Sequence, residues 1–181
     1  MRCTRRLWIG RIDSNMIYAF DTYYAGPVAK TVCIGFEEWT SADYSFLEEE
    51  ALNIQSEYIS GEFYKRELPC ILSLLEKMTL KSGDILIVDG YVYLDDDGKL
   101  GLGGHLYNSL GGKTPVIGVA KTNFATISVR KKEIFRGKSQ KPVYVTSTGI
   151  DLALAAGLVG QMAGAFRIPD LLKKLDLLTK S

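Results

Sequence analysis

Histidine is almost missing from this chain: His105 is the only one in 181 residues. Cysteine is scarce as well. Cys3, Cys33 and Cys70 are odd in number, far apart and without a CxxC pair, a pattern that suits reduced, mostly buried thiols in a cytosolic protein. Neither sign of charge is in excess. At a formal net charge of +1, no whole-molecule field demands a polyanionic partner, although a local basic face would suffice for one. No apolar run reaches the length of a membrane span. Arg2, Arg5 and Arg6 precede Leu7-Trp8-Ile9-Gly10, but that apolar stretch is too short for a secretory core. The expectation is a cytoplasmic protein with no membrane partner. Linkers, internal repeats and low-complexity tracts are missing too, so residues 1–181 are expected to form one well-cored domain.

What is present reads as globular, with 46% hydrophobic and 24% charged residues. Asn15 to Phe20 reads as a strand with a polar break at Asp21-Thr22, followed by a turn over Tyr23 to Pro27. Ala29 to Phe36 contains a second strand. Phe46 to Leu52 has helix propensity, yet Leu52, Ile54, Ser56 and Tyr58 alternate with Asn53, Gln55 and Glu57, and a strand from about Ala51 onward is the chosen reading. Glu67 to Leu80 places Leu68, Ile71, Leu72, Leu75 and Met78 on one helical face, with Pro69 in the first turn, where a missing amide does little harm. Ile85 to Val88 and Pro115 to Ala120 read as buried strands, His105 to Leu110 as part of a short helix, and Val143 to Thr146 as a late strand. Asp151 to Ala165 and Arg167 to Leu178 read as helices. The basic run Arg130, Lys131, Lys132, Arg136, Lys138 and Lys141 fits either a solvated hairpin or a phosphate-tracking surface. This order fits an α/β chain, a mixed sheet with helices on both faces.

Three acidic residues stand where segments are expected to converge: Asp21 after one apolar run, Asp89 after another, Glu67 at a helix start. If the first and fourth strands are neighbours, Asp21 and Asp89 meet at one sheet edge, where open α/β sheets carry their sites. Carboxylate oxygens are hard ligands for Mg²⁺ or Mn²⁺. Two such ions can activate a water and stabilise the leaving oxygen of an in-line displacement. Lys121, closing the next strand, could neutralise a scissile phosphate. Each residue also has an ordinary explanation: aspartates cap turns, Glu67 suits a helix N-terminus, and Lys121 can be solvated. His105 could orient a carboxylate, contact phosphate, or pack at a helix start.

Five segments carry a resemblance. Tyr18-Ala19-Phe20-Asp21-Thr22-Tyr23-Tyr24 resembles the first-strand D-x-x-Y motif of the endonuclease V family. Tyr58-Ile59-Ser60-Gly61 with Tyr64-Lys65-Arg66-Glu67 resembles its P-Y-[IV]-P-G…F-R-E signature. Ile87-Val88-Asp89-Gly90 with Leu100-Gly101-Leu102-Gly103-Gly104-His105-Leu106 is similar to V-D-G…L-G-x-A-S-H. Pro115-Val116-Ile117-Gly118-Val119-Ala120-Lys121 matches P-T-I-G-V-A-K almost throughout, and Arg167-Ile168-Pro169 resembles R-L-P. The resemblance implies a ribonuclease H-like fold and Mg²⁺-dependent cleavage of a phosphodiester near a deaminated base (inosine) in DNA or RNA, with Mn²⁺ able to substitute. By position it implies Asp21, Glu67 and Asp89 as metal-binding carboxylates, Asp176 as a further ligand and Lys121 as the active-site lysine. It places Tyr58 and Gly61 in a strand-separating wedge, and Gly90, Gly101 and Phe124 near the loops that accept a displaced base, where glycine backbone can approach closely.

The chain also departs from the pattern. Glu57 and Ser60 replace the two wedge prolines, and Asp95-Asp96-Asp97 replaces an H-P-R stretch, with Asp95 at the family histidine: a metal ligand by that alignment, or an exposed Asp/Gly turn. Ile150 follows Gly149 where a histidine is often found. These changes leave the carboxylates and lysine in place while altering substrate recognition. A catalytically impaired, nucleic-acid-binding descendant is therefore the alternative expectation.

Overall fold

In a computed structural model, residues 15–54 and 64–181 are described. Among the described residues seven strands form one sheet: β1 (Ile17–Ala25), β2 (Val28–Phe36), β3 (Phe46–Asn53), β4 (Ile85–Asp89), β5 (Val116–Ala120), β6 (Lys132–Ile134) and β7 (Val143–Thr148), in the order β3-β2-β1-β4-β5-β7-β6. The helices are α1 (Tyr64–Glu76), α2 (Leu102–Ser109), α3 (Leu152–Gln161) and α4 (Asp170–Thr179). The pairs β1–β4 and β4–β5 are parallel and the rest antiparallel, so the sheet is mixed as expected.

Strand alternation sorts the core into two layers. Tyr18, Phe20, Leu86, Val88 and Val116 pack with α1 and α2 through Ile71, Leu74 and Leu106. Ile17, Ala19, Ile87, Ile117 and Val119 face α3 and α4 through Ala155, Val159, Leu171 and Leu175. Strands covered on both sides have no reason to alternate in polarity, hence the unbroken apolar runs in β4 and β5. Among the described residues no helix is long and apolar enough to cross a membrane.

Several boundaries differ from the sequence reading. β1 does not break at Asp21 but continues to Ala25, because β2 pairs with it along its whole length and the reversal needs only Gly26 (φ +60°) and Pro27. β3 begins at Phe46 and ends at Asn53, so the helix propensity of Glu48-Glu49-Glu50-Ala51 is overridden by an eight-residue ladder with β2. Its alternating exposure starts at Phe46. The segment read as continuing this strand, 55–58, lies outside the described residues. α1 starts at Tyr64 and stops at Glu76, so Pro69 falls in its sixth position rather than its first turn. The helix forgoes the bond an amide there would donate to the carbonyl of residue 65. α4 starts at Asp170, since Pro169 stands at its N-cap and keeps Ile168 out of helical backbone. The basic run contains the short edge strand β6, which completes a hairpin with β7.

Candidate active site

The register of β1 on β4 sets Phe20 beside Val88, so Asp21 and Asp89 occupy the next rung. β5 lies on the other side of β4, with Val119 beside Asp89, and Lys121 is the residue that follows the end of β5. By alternation Asp21, Asp89 and Lys121 all take the face of Ala19, Ile87 and Val119, which is the face α4 covers. α4 anchors itself by burying Leu171 and Leu175, each worth about 1.5–3 kcal/mol. Asp176, following Leu175, thereby faces the strand ends. Asp21, Asp89, Lys121 and Asp176 line one cleft, with Ile87, Val119, Leu172 and Leu175 as its apolar lining.

Lys121 Nζ lies 3.9 Å from a carboxylate oxygen of Asp89 and 3.9 Å from one of Asp176. Lys180 Nζ sits closer to Asp176, at 2.7 and 2.8 Å from its two oxygens. The buried Thr179 hydroxyl lies 3.2 Å from Asp21 Oδ2 and 2.8 Å from the Asp176 carbonyl. Its single proton serves one of these at a time. Glu67 comes from α1 on the opposite layer, yet the charges of Asp21 and Asp89 reach it. Its carboxyl is pushed up to about 8, by burial first and then by the charges of Asp21 and Asp89. Burial also raises Asp21, against the hydrogen bond from Thr179. Asp89 is raised to about 6 by burial, while Lys121 pulls it down and Asp21 and Asp176 push it up. With 43% of the Asp89 side chain open to water, charging it costs far less than charging Glu67.

Carboxylates that resist one another's ionisation form a site short of positive charge, and a small divalent cation is the complementary group. Among the described residues, no three His, Cys, Asp or Glu side chains are already closed into a cage. Mg²⁺ does not require one, because it keeps several waters and uses one or two carboxylates. The donor set of Asp21, Glu67, Asp89 and Asp176 is all oxygen, which fits Mg²⁺ or Mn²⁺.

The remaining residues singled out in the sequence fall in three places. Gly90, Gly101 and Phe124 gather around Tyr91. Gly90 has φ +144° with open space at its Cα, Phe124 is 41% exposed, and its ring lies 5.7 Å from that of Tyr91. Gly101 packs tightly: a Cβ there would stand 2.4 Å from the Tyr91 carbonyl. His105 stacks on Tyr64 at 3.7 Å and 11°, and burial lowers its pKa. The ring thus joins α2 to the start of α1. Tyr58 and Gly61 lie outside the described residues, as do the replaced wedge positions.

The acidic loop turns its charge inward. Asp96 accepts from the successive backbone amides of Ser128, Val129 and Arg130 at 3.0–3.2 Å and from the Ser128 hydroxyl at 2.7 Å. Such a run of amides is an anion-binding nest, and here the chain fills its own nest. Asp95 accepts from the Lys99 amide at 2.8 Å, the geometry of an Asp/Gly turn rather than of a ligand turned to the cleft.

Arg167, Thr179, Lys180 and Tyr91 are contributors that sequence reading missed as site residues. The first was visible within its Arg-Ile-Pro segment, and the next two as the positions three and four after Asp176 on one helical face. Arg167 donates through Nε and a terminal nitrogen to the Pro142 carbonyl, at 3.0 and 2.7 Å, and also to the Lys121 carbonyl. It therefore fastens the end of β5 to the start of β7. A lysine cannot span both carbonyls, so Arg167→Lys is expected to cost about 1–3 kcal/mol, seen as a fall of several degrees in thermal unfolding.

The family model for endonuclease V matches residues 9–177. No curated protein matches the sequence. Among solved structures, endonuclease V from Bacillus subtilis is 21% identical with a TM-score of 0.73, the alignment covering 93% of this chain and 80% of that one. Endonuclease V from Ciona intestinalis, in complex with a 24mer DNA containing an inosine followed by a ribo-adenosine, is 17% identical with a TM-score of 0.77, covering 93% and 85%. The Argonaute of Marinitoga piezophila, in complex with 5′ OH guide RNA, gives a TM-score of 0.54 at 11% identity, covering 92% of this chain and 30% of that chain. The fold is α/β and ribonuclease H-like, with helices on both faces of a mixed sheet.

Proposed function

The chain belongs to the endonuclease V family, and from that premise we propose that it is a metal-dependent endonuclease hydrolysing a phosphodiester near inosine in DNA or RNA. The observation that carries this reading is the adjacent placement of Asp21 and Asp89 at the ends of two paired strands, with Glu67 within reach of the charges of both and Lys121 beside Asp89. Asp21, Glu67 and Asp89, with Asp176 from α4, are the residues that would hold Mg²⁺, or Mn²⁺ in its stead. When bound, the ion supplies Lewis-acid activation of water and of the phosphate. The chain's own parts do the rest. Lys121 brings an ammonium to the rim of the cleft, where charge develops on a phosphate during displacement. Arg167 holds the Lys121 backbone in place. Ile87, Val119 and Leu175 give the cleft an apolar lining that strengthens each of these interactions by lowering the local dielectric.

Gly90 and Phe124, beside Tyr91, are proposed to border the displaced base, with Tyr58 and Gly61 in the wedge. Gly101 and His105 then act by fixing α2 behind that border rather than by touching substrate. The whole of residues 1–181 is proposed to act as one domain. The cytoplasm is the proposed compartment, one that keeps the unpaired Cys33 and Cys70 as thiols.

The altered wedge and the acidic loop favour a descendant that binds without cutting. With Asp96 consumed by its own nest, the loop repels phosphate less than its sequence suggests, which weakens that alternative. The test is incubation of the purified protein with single-inosine DNA and RNA strands in Mg²⁺ and in Mn²⁺. Nicking close to inosine, lost with a chelator, is the expected result. Tight binding with no nicking in either metal would leave the binding-only reading standing.

A further inference from the structure

The turn between α3 and α4 carries Phe166 with 72% of its surface exposed, and Phe135, just past β6, is 60% exposed. Single exposed apolar residues are ordinary, but three observations set Phe166 apart. Its mount is rigid. Arg136, only 5% exposed, donates to the Phe166 carbonyl at 2.8 Å, to the Gly164 carbonyl at 3.3 Å and to the carbonyl of Met162. Gly137 (φ +59°) packs so close that a Cβ would stand 2.0 Å from the Ala165 carbonyl.

The surroundings are cationic and polar. A shallow groove beside the ring is lined by Lys138, Ser139, Ala165 and Arg167. The neighbouring acid, Asp170, lies over Gly164, and its charge acts on the buried Arg136. Arg167 also ties the groove to the cleft. Arg167 lines the groove and bonds the Lys121 carbonyl, while the next residue, Ile168, lines the cleft with Asp21, Asp89 and Asp176.

A rigid exposed ring next to cations is the combination that holds unpaired nucleic acid: every base has a face to stack, and each base is followed by a phosphate. We propose that this groove binds an unpaired nucleotide flanking the cut site, its base stacked on Phe166 and its phosphate over Lys138 and Ser139. The proposal rests on the nuclease reading for the identity of the strand.

The test is fluorescence anisotropy in chelator, with labelled single strands carrying one inosine and progressively longer unpaired flanks. The parent protein is expected to bind more tightly as the flank lengthens. Phe166→Ala loses about 5- to 150-fold of that gain, the range for one stacked base, and Phe166→Trp keeps it. Lys138→Glu weakens binding and flattens the salt dependence. Unfolding temperatures should be unchanged, since both side chains are exposed. A parent indifferent to flank length, or Phe166→Ala matching the parent at every length, overturns the groove. Nicking with no effect of Phe166→Ala discards the groove alone. A Phe166-dependent gain without nicking discards the nuclease reading and keeps the groove.

Discussion

Replacing Asp89 with alanine is expected to lower Mg²⁺-dependent cleavage by at least about a thousandfold while leaving the fold intact. The loss follows from what a divalent ion supplies. Lewis-acid stabilisation and activation of water are each worth several kcal/mol, and every 1.36 kcal/mol is about tenfold in rate. The intact fold follows from where Asp89 sits. It closes β4, with 43% of its side chain exposed and its ion-pair contact to Lys121 at 3.9 Å. Exposed pairs of this kind contribute little to stability. Removing the carboxylate also relieves repulsion with Asp21 and Asp176. Thermal unfolding in chelator should therefore match the parent or exceed it. An Asp89→Ala protein that is folded and still cuts inosine strands at the parent rate would defeat the assignment of Asp89.

The convergence of Asp21 and Asp89 was legible in sequence because both follow apolar runs that end on one rung once the strands pair in parallel. Lys121 was legible by the same logic, one strand further on. What sequence left dark depends on partners distant along the chain. Nothing local marks the continuation of β1 past Asp21, since the ladder with β2 carries it. Glu48 to Ala51 favour a helix in isolation, and only the neighbouring β2 makes them a strand. Asp96 reads as a repelling charge because its partners are backbone amides from Ser128 to Arg130, and no side-chain pattern reports amides. His105 had three open readings, and the Tyr64 ring stacked on it is a contact that no local pattern announces.

The charge conflict in the cleft also separates stability from function, and Glu67→Gln tests that separation. Glu67 is raised from 4.5 to about 8, so the folded protein holds its proton over a range in which the unfolded chain has released it. The sign follows from linkage. Below about pH 4.5 both states are protonated and the advantage is complete, whereas between about 4.5 and 8 folding stability falls as pH rises, by up to about 1.36 kcal/mol per unit. A glutamine at this position carries no proton to lose. Metal-free Glu67→Gln should match the parent in acid and become more stable than it as pH rises toward 8, by on the order of a few kcal/mol, or several degrees in unfolding temperature for a chain of this length. Cleavage should fall at least about a hundredfold, because a neutral amide is a poorer ligand for a hard cation. Added Mg²⁺ or Mn²⁺ should then raise the parent's unfolding temperature, since an ion that binds only the folded state stabilises it, and leave the variant nearly unmoved. As pH falls from 8 toward 6 the parent's metal-induced shift should shrink, protons competing with the ion for Glu67 and Asp89. A parent that unfolds at the same temperature as Glu67→Gln across this pH range, with or without metal, would mean that the glutamate does not share the charge-starved point occupied by Asp21 and Asp89.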